Sequence, residues 1–194
     1  VMEAFRTLLR ADGLMDAPNG WNFTDWVKDP VNWAGGIPPK LDFAPSALLN
    51  LHFALVLNRK AEMEEIFGEQ DLAARDRATA VSVTNAVMRD FWSEEKGLIA
   101  DDAQKESFSE HTQCLALLSG LCHESKRLVI GNSLCVAKGL SKTTIYFTHY
   151  LFETYRLLGK EELFFDRLKL WHQLPDQGFK TTFEEPEPSR SDCH

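Results

Sequence analysis

Ala47-Leu48-Leu49-Asn50-Leu51-His52-Phe53-Ala54-Leu55-Val56-Leu57 is apolar on nearly every face, a composition that a helix tolerates only when protein surrounds it. The next segment, residues 71–92, is of another kind. Ala80, Val83, Val87 and Phe91 fall near one stripe, whereas Arg75, Asp76, Arg77, Arg89 and Asp90 fall largely elsewhere, which predicts a surface helix. The alternation then repeats. Cys114-Leu115-Ala116-Leu117-Leu118 is apolar all round and residues 126–138 are mixed. Residues 145–158, opening on Ile145-Tyr146-Phe147, form a third interior run, and in residues 161–174 Phe164, Leu168 and Trp171 share a face. Core packing accounts for all of these stripes. The breaks Gly68-Glu69-Gln70 and Gly159-Lys160 are short enough to join antiparallel partners, while the long connections at residues 12–43, 93–108 and 177–190 should decorate one end. The expected fold is all-α: an inner and an outer layer of helices in a toroid of helical hairpins, with no β-period segment competing. Unequal, dissimilar repeats argue against a superhelical scaffold. Asp12-Gly13-Leu14, Lys96-Gly97-Leu98 and Gln177-Gly178-Phe179 read as a shared turn at helix ends, with Gly in the left-handed cap.

A chain of 194 residues supports one sizeable core. Its 44% hydrophobic and 26% charged residues exclude a disordered segment. Asp and Glu outnumber Lys and Arg by 29 to 21 with no basic run, so neither nucleic acid nor anionic lipid is an expected partner. No apolar run approaches the roughly 20 residues that span a bilayer. The chain therefore reads as soluble, in the cytoplasm or in the periplasm or medium. Cys114, Cys122, Cys135 and Cys193 lie far apart, without the ligand spacing of a zinc site or the density of a disulfide framework. Val1-Met2-Glu3-Ala4-Phe5-Arg6 reads as the middle of an amphipathic helix, and Asp192-Cys193-His194 carries no capping signal. Residues 1–194 are thus expected to be part of one domain, truncated at both ends.

The long connections hold the residues suited to chemistry. Gly20-Trp21-Asn22-Phe23-Thr24-Asp25-Trp26-Val27, followed by Trp33, interleaves four aromatics with Asn, Asp and Thr. A sugar ring offers an apolar face for stacking and a rim of hydroxyls for such polar groups; equally, the segment could be an Ω-loop packed by its own side chains. In Phe108-Ser109-Glu110-His111-Thr112-Gln113, Ser109 is a plausible N-cap and Glu110 suits the positive end of a helix dipole. Capping explains these residues without a function, but a polar set where an interior helix emerges would also line a cavity mouth. Gln113, with its neighbours Glu110 and His111, is a candidate ligand contact on that ground. Thr181-Thr182-Phe183-Glu184-Glu185-Pro186-Glu187-Pro188-Ser189-Arg190 gathers three carboxylates between prolines that hold the chain extended; taken alone it reads as a solvated acidic linker.

Four segments together are more specific. Phe91-Trp92-Ser93-Glu94-Glu95-Lys96-Gly97-Leu98, Phe108-Ser109-Glu110-His111-Thr112-Gln113-Cys114, Tyr146-Phe147-Thr148-His149-Tyr150-Leu151-Phe152-Glu153 and Glu185-Pro186-Glu187-Pro188-Ser189-Arg190-Ser191-Asp192-Cys193-His194 resemble, in this order, segments of bacterial α-L-rhamnosidases. The resemblance implies the (α/α)6 barrel of that family, of which this chain would supply about three helical hairpins and an extra outer helix. It implies inverting hydrolysis of terminal α-L-rhamnosides, without an organic cofactor. By the same resemblance the general base falls on Glu184, with Glu185 as second choice. The histidine that contacts the bound sugar falls on His194, and Asp25 and Trp26 resemble the loop beside the sugar pocket. The family's general acid belongs to an upstream acidic motif that has no counterpart here, so the expected partner is the rest of the same barrel. Other glycosidases on this barrel, of glucoamylase-like, trehalase-like or unsaturated uronyl hydrolase type, share the alternation. A non-catalytic helical sugar-binding or interaction module is the alternative from another class.

Overall fold

The computed structural model describes residues 1–29, 33–41 and 44–182. Helices α1 (Met2–Arg6), α2 (Ala47–Ile66), α3 (Gln70–Phe91), α4 (Glu110–Ser119), α5 (Glu124–Val136), α6 (Thr148–Leu158) and α7 (Glu161–His172) follow one another, with a two-stranded ribbon, β1 (Trp92–Ser93) and β2 (Leu98–Ile99), between α3 and α4. The all-α expectation and the three hairpins α2/α3, α4/α5 and α6/α7 are what the chain forms. Packing runs from α2 to α4 and from α4 to α6, with α3, α5 and α7 each against its own partner. The inner helices therefore form an arc, and the outer ones lie along it.

Burial shows why the composition alternates. In α4, Glu110 to Leu117 and Ser119 are all buried. Its apolar members meet Leu51 and Leu55 of α2, Val87 and Phe91 of α3, Ile130 of α5 and Leu151 of α6 in one core, where each fully buried Leu or Phe contributes about 1.5–3 kcal/mol. The helix starts on Ser109, whose Oγ accepts from the Thr112 N–H, and stops at Gly120, which takes φ 71°. A second cluster, built on Met15, Phe53, Leu57, Ala80 and Val83, joins α2 and α3 to the turn after α1. There the buried Asn50 side chain accepts from the Met15 N–H at 2.7 Å and donates to the Met15 carbonyl at 3.1 Å.

Four expectations need correction. A strand does occur: Trp92 pairs with Ile99 and Ser93 with Leu98, in strands too short for any periodicity to show. The turn at Gly97 is not a helix end but the tip of this ribbon, at φ 62°, where an added Cβ would lie 2.8 Å from Ser133 Oγ and Val129 Cγ1 of α5. Residues 145–158 are not interior throughout. The helix begins only at Thr148, and within it just Thr148, Leu151, Thr154 and Tyr155 are buried, because α6 packs against α4 and α7 and leaves its remaining face open. Asp76, grouped above with surface charges, is fully buried and accepts from Arg6 of α1, from Lys60 of α2 at 2.6 Å and from Arg75 at 3.2 Å. Burial pushes its carboxyl up, but the Lys60 hydrogen bond, the Arg6 charge and the Arg75 hydrogen bond outweigh it and hold it below the ordinary range.

Candidate functional site

The N-terminal ends of the three inner helices gather at one end of the arc, and the loops meet there. The Ala47 N–H of α2 donates to the Asp101 carbonyl at 3.1 Å, and Ser109 Oγ donates to the Asp101 carboxyl at 2.7 Å. The Glu110 N–H donates to the Ser141 carbonyl at 2.9 Å, while the Glu110 carboxylate accepts from the Thr143 N–H at 2.8 Å and from Arg167 of α7 at 3.0 Å. The starts of α2 and α4 are thus each tied to the connection leading to a neighbour.

At this end lies a cleft of about 510 Å³. Trp21 and Phe23 form one wall, Tyr146 and Phe147 the other, and Leu48, Leu49 and His52 of α2 the floor. Trp21 is 66% exposed and Tyr146 61% exposed. Trp21 is held in place, since its Nε1–H donates to the Gly35 carbonyl at 2.9 Å and its ring lies 5.2 Å from that of Phe23. Gly36 makes this approach possible, as a Cβ there would sit 2.6 Å from the Phe23 ring. Burial pushes the His52 imidazole below its ordinary value, so it stays neutral at pH 7. Two aromatic walls over a floor of two leucines and a neutral imidazole suit an uncharged ring with one apolar face and a hydroxyl rim. Among the described residues lining the cleft, none carries a carboxylate.

Two other hollows are larger. One, of about 750 Å³ between α2 and α6, is lined by Arg59 paired with Glu62 and Arg156 paired with Glu153, both at 2.8 Å, and also by Arg77 and Arg127. The other, of about 660 Å³, lies against α7 around Arg167, whose Nη2 donates to Glu110 and Thr143. In the first, His52 and His149 meet the Tyr150 ring edge-on at 6.0 and 5.4 Å; the second has no aromatic ring among its described lining residues. Among the described residues no group of three or more His, Cys, Asp or Glu is placed to hold a metal, and no helix is long and apolar enough to cross a membrane.

The residues singled out from the sequence separate into distinct places. Trp21 faces the cleft. Trp26 stands behind it, 6.1 Å from the Trp21 ring and 4.9 Å from that of Phe23. Trp33 is 2% exposed and stacks 4.7 Å from the His111 ring, so it belongs to the core. Gln113 is fully buried, and its amide accepts from the Ile99 N–H at 3.0 Å and donates to the Ile99 and Ser109 carbonyls at 2.7 and 3.1 Å. That amide joins α4 to β2 and is not turned toward any ligand, because the ribbon leaves unpaired backbone groups that Gln113 satisfies. Glu110 and His111 are likewise buried among protein partners, and Asp25 is 1% exposed. Glu184, Glu185 and His194 lie outside the described residues. Sequence reasoning missed His52, Tyr146 and Phe147 as cleft residues. Tyr146-Phe147, directly before the start of α6, was the available signal.

No protein-family model and no curated protein sequence matches this one. Solved structures are similar. The GH78 family rhamnosidase of Bacillus sp. GL1 superposes with a TM-score of 0.82 at 18% identity, over 100% of this chain and 21% of that one. A rhamnosidase from Klebsiella oxytoca, solved with rhamnose bound, superposes with a TM-score of 0.76 at 21% identity, over 97% of this chain and 34% of that one. The present chain thus spans only a fifth to a third of these proteins, and in fold it is an all-α part of the kind of helical domain that GH78 rhamnosidases contain.

Proposed function

We propose that these residues form one arc of the catalytic (α/α)6 barrel of a glycoside hydrolase that removes terminal α-L-rhamnosyl groups with inversion. The observation that carries this reading is the aromatic cleft at the N-terminal ends of α2, α4 and α6, in a chain whose whole length is built like part of two rhamnosidases. Trp21 and Tyr146 stack on the sugar ring, and His52 and Asn22 meet its hydroxyls. Glu184, or failing that Glu185, deprotonates a water, and His194 contacts the bound sugar. The general acid comes from the remainder of the barrel, on the far side of the scissile bond. Single displacement needs the two carboxyls about 6.5–9.5 Å apart to admit the water.

The test is hydrolysis of a panel of aryl glycosides by the full-length protein, with the anomer first released read by NMR. Turnover confined to the α-L-rhamnoside, with inversion, is the expected result. E184Q or E185Q is expected to lower kcat by about 10²–10⁴-fold while rhamnose binding survives. Near-parental turnover in both variants overturns the assignment of the base. A second reading, a sugar-binding module without catalysis, draws on the absence of a carboxylate among the described residues of the cleft; rhamnose binding with no turnover of any glycoside would select it.

A further inference from the structure

Three distant parts of the chain meet on one carboxylate. His111 Nε2–H, in the first turn of α4, donates to Asp25 Oδ2 at 2.7 Å. The Thr144 N–H donates to the same oxygen at 2.8 Å, the Thr144 hydroxyl donates to Oδ1, and the Trp26 N–H reaches Oδ1 at 3.1 Å. Asp25 is 1% exposed and His111 0%, so this carboxylate does not touch a ligand in the cleft. Its partners adjoin residues that line the cleft. Asp25 lies between Phe23 and Trp26 on the loop wall, and Thr144 lies two residues before Tyr146 on the other wall. His111 is clamped in turn, its ring 4.7 Å from Trp33 and 4.4 Å from Phe147. A buried carboxylate saturated by donors has few alternative geometries and is expensive to disturb. The loop also has a second tether: its Thr24 N–H donates to the Gly36 carbonyl at 2.9 Å.

We propose that Asp25 is a positioning residue that sets the separation of the two aromatic walls, with His111 and Thr144 as its anchors, so that the cleft is preset for one uncharged sugar ring. The sugar rests on the function proposed above; the wall-setting role does not.

The experiment uses the full-length protein labelled with 5-fluorotryptophan, the ¹⁹F resonance of Trp21 being assigned by its loss in W21F, together with calorimetric titration of L-rhamnose. D25A and T144V are expected to shift or broaden the Trp21 resonance while the far-ultraviolet helix signal persists, and to weaken L-rhamnose binding by about tenfold or more. T144S retains both bonds to Asp25 and is expected to match the parent in both measurements. If D25A does not fold, T144V decides, since it removes one hydroxyl and leaves the amide bond in place. Folded D25A or T144V with the parental Trp21 resonance and parental affinity overturns the proposal. A parent that binds no L-rhamnose overturns the sugar reading, while the Trp21 resonance still decides the role of Asp25.

Discussion

Asp101 shows how a single residue can serve two helix starts and carry a strain that only pH reveals. Its backbone carbonyl caps α2, and its side chain takes hydroxyl hydrogen bonds from Ser109 and Thr112 at the start of α4, leaving one carboxyl oxygen without a partner among the described residues. Burial pushes this carboxyl above its ordinary 3.8, against the pull of the Ser109 and Thr112 hydrogen bonds. A raised folded value means that folding favours the protonated form. The stability it contributes is complete below pH 3.8 and is lost as pH rises through the folded value. Across that interval the loss runs at about 1.4 kcal/mol per pH unit. D101N, neutral at every pH, is expected to gain on the parent over this window and then hold a constant lead, as read by urea unfolding from about pH 3.5 to 7.5. A gap that does not change with pH would show that the carboxyl is not shifted.

The elements were legible from the sequence to the degree that their surroundings impose a composition. An inner helix enclosed by protein becomes apolar all round, which is why α4 and the first half of α2 were recognisable. At α6 the same rule misled. Tyr146, just before it, and Leu157 on it are apolar yet 61% and 46% exposed, and no local pattern says which apolar face is covered. The ribbon β1/β2 was invisible because its pairing rests on two residues per strand and on a glutamine fourteen positions away. Q113L tests that dependence. It leaves the Ile99 N–H and carbonyl buried without partners, and is expected to lower stability by about 2–4 kcal/mol in denaturant unfolding while leaving L-rhamnose affinity of the folded protein unchanged. Selective loss of affinity would instead return Gln113 to the ligand. In the cleft, composition marked the right loop but could not sort its tryptophans. Trp21 and Trp33 differ in the partners that cover them, and those partners are supplied by other elements.

The whole arc is closed on one side and open on the other. Val56 of α2 and Leu157 of α6 stand 37% and 46% exposed in the lining of the hollow of about 750 Å³. Leaving roughly 400 Å² of such surface uncovered forfeits about 10 kcal/mol at about 25 cal/mol per Å², as much as the net stability of a domain. If the rest of a barrel covers it, L157C should react with a maleimide about tenfold more slowly in the full-length protein than in the isolated 194-residue chain; equal rates would sink the arc reading. The Asp25 junction also sets an order of events in time. Its partners His111 and Thr144 lie 86 and 119 positions downstream, whereas each helical hairpin closes over a few residues. Loop-closure entropy must be met before contacts of that span are rewarded, so on refolding the Trp21 environment is expected to mature after the helix signal. On the ribosome the delay is longer: at about 5–20 residues per second, Asp25 emerges roughly 6–24 s before the threonine that fixes it, and through that interval water stands in for the long-range partners of its carboxylate.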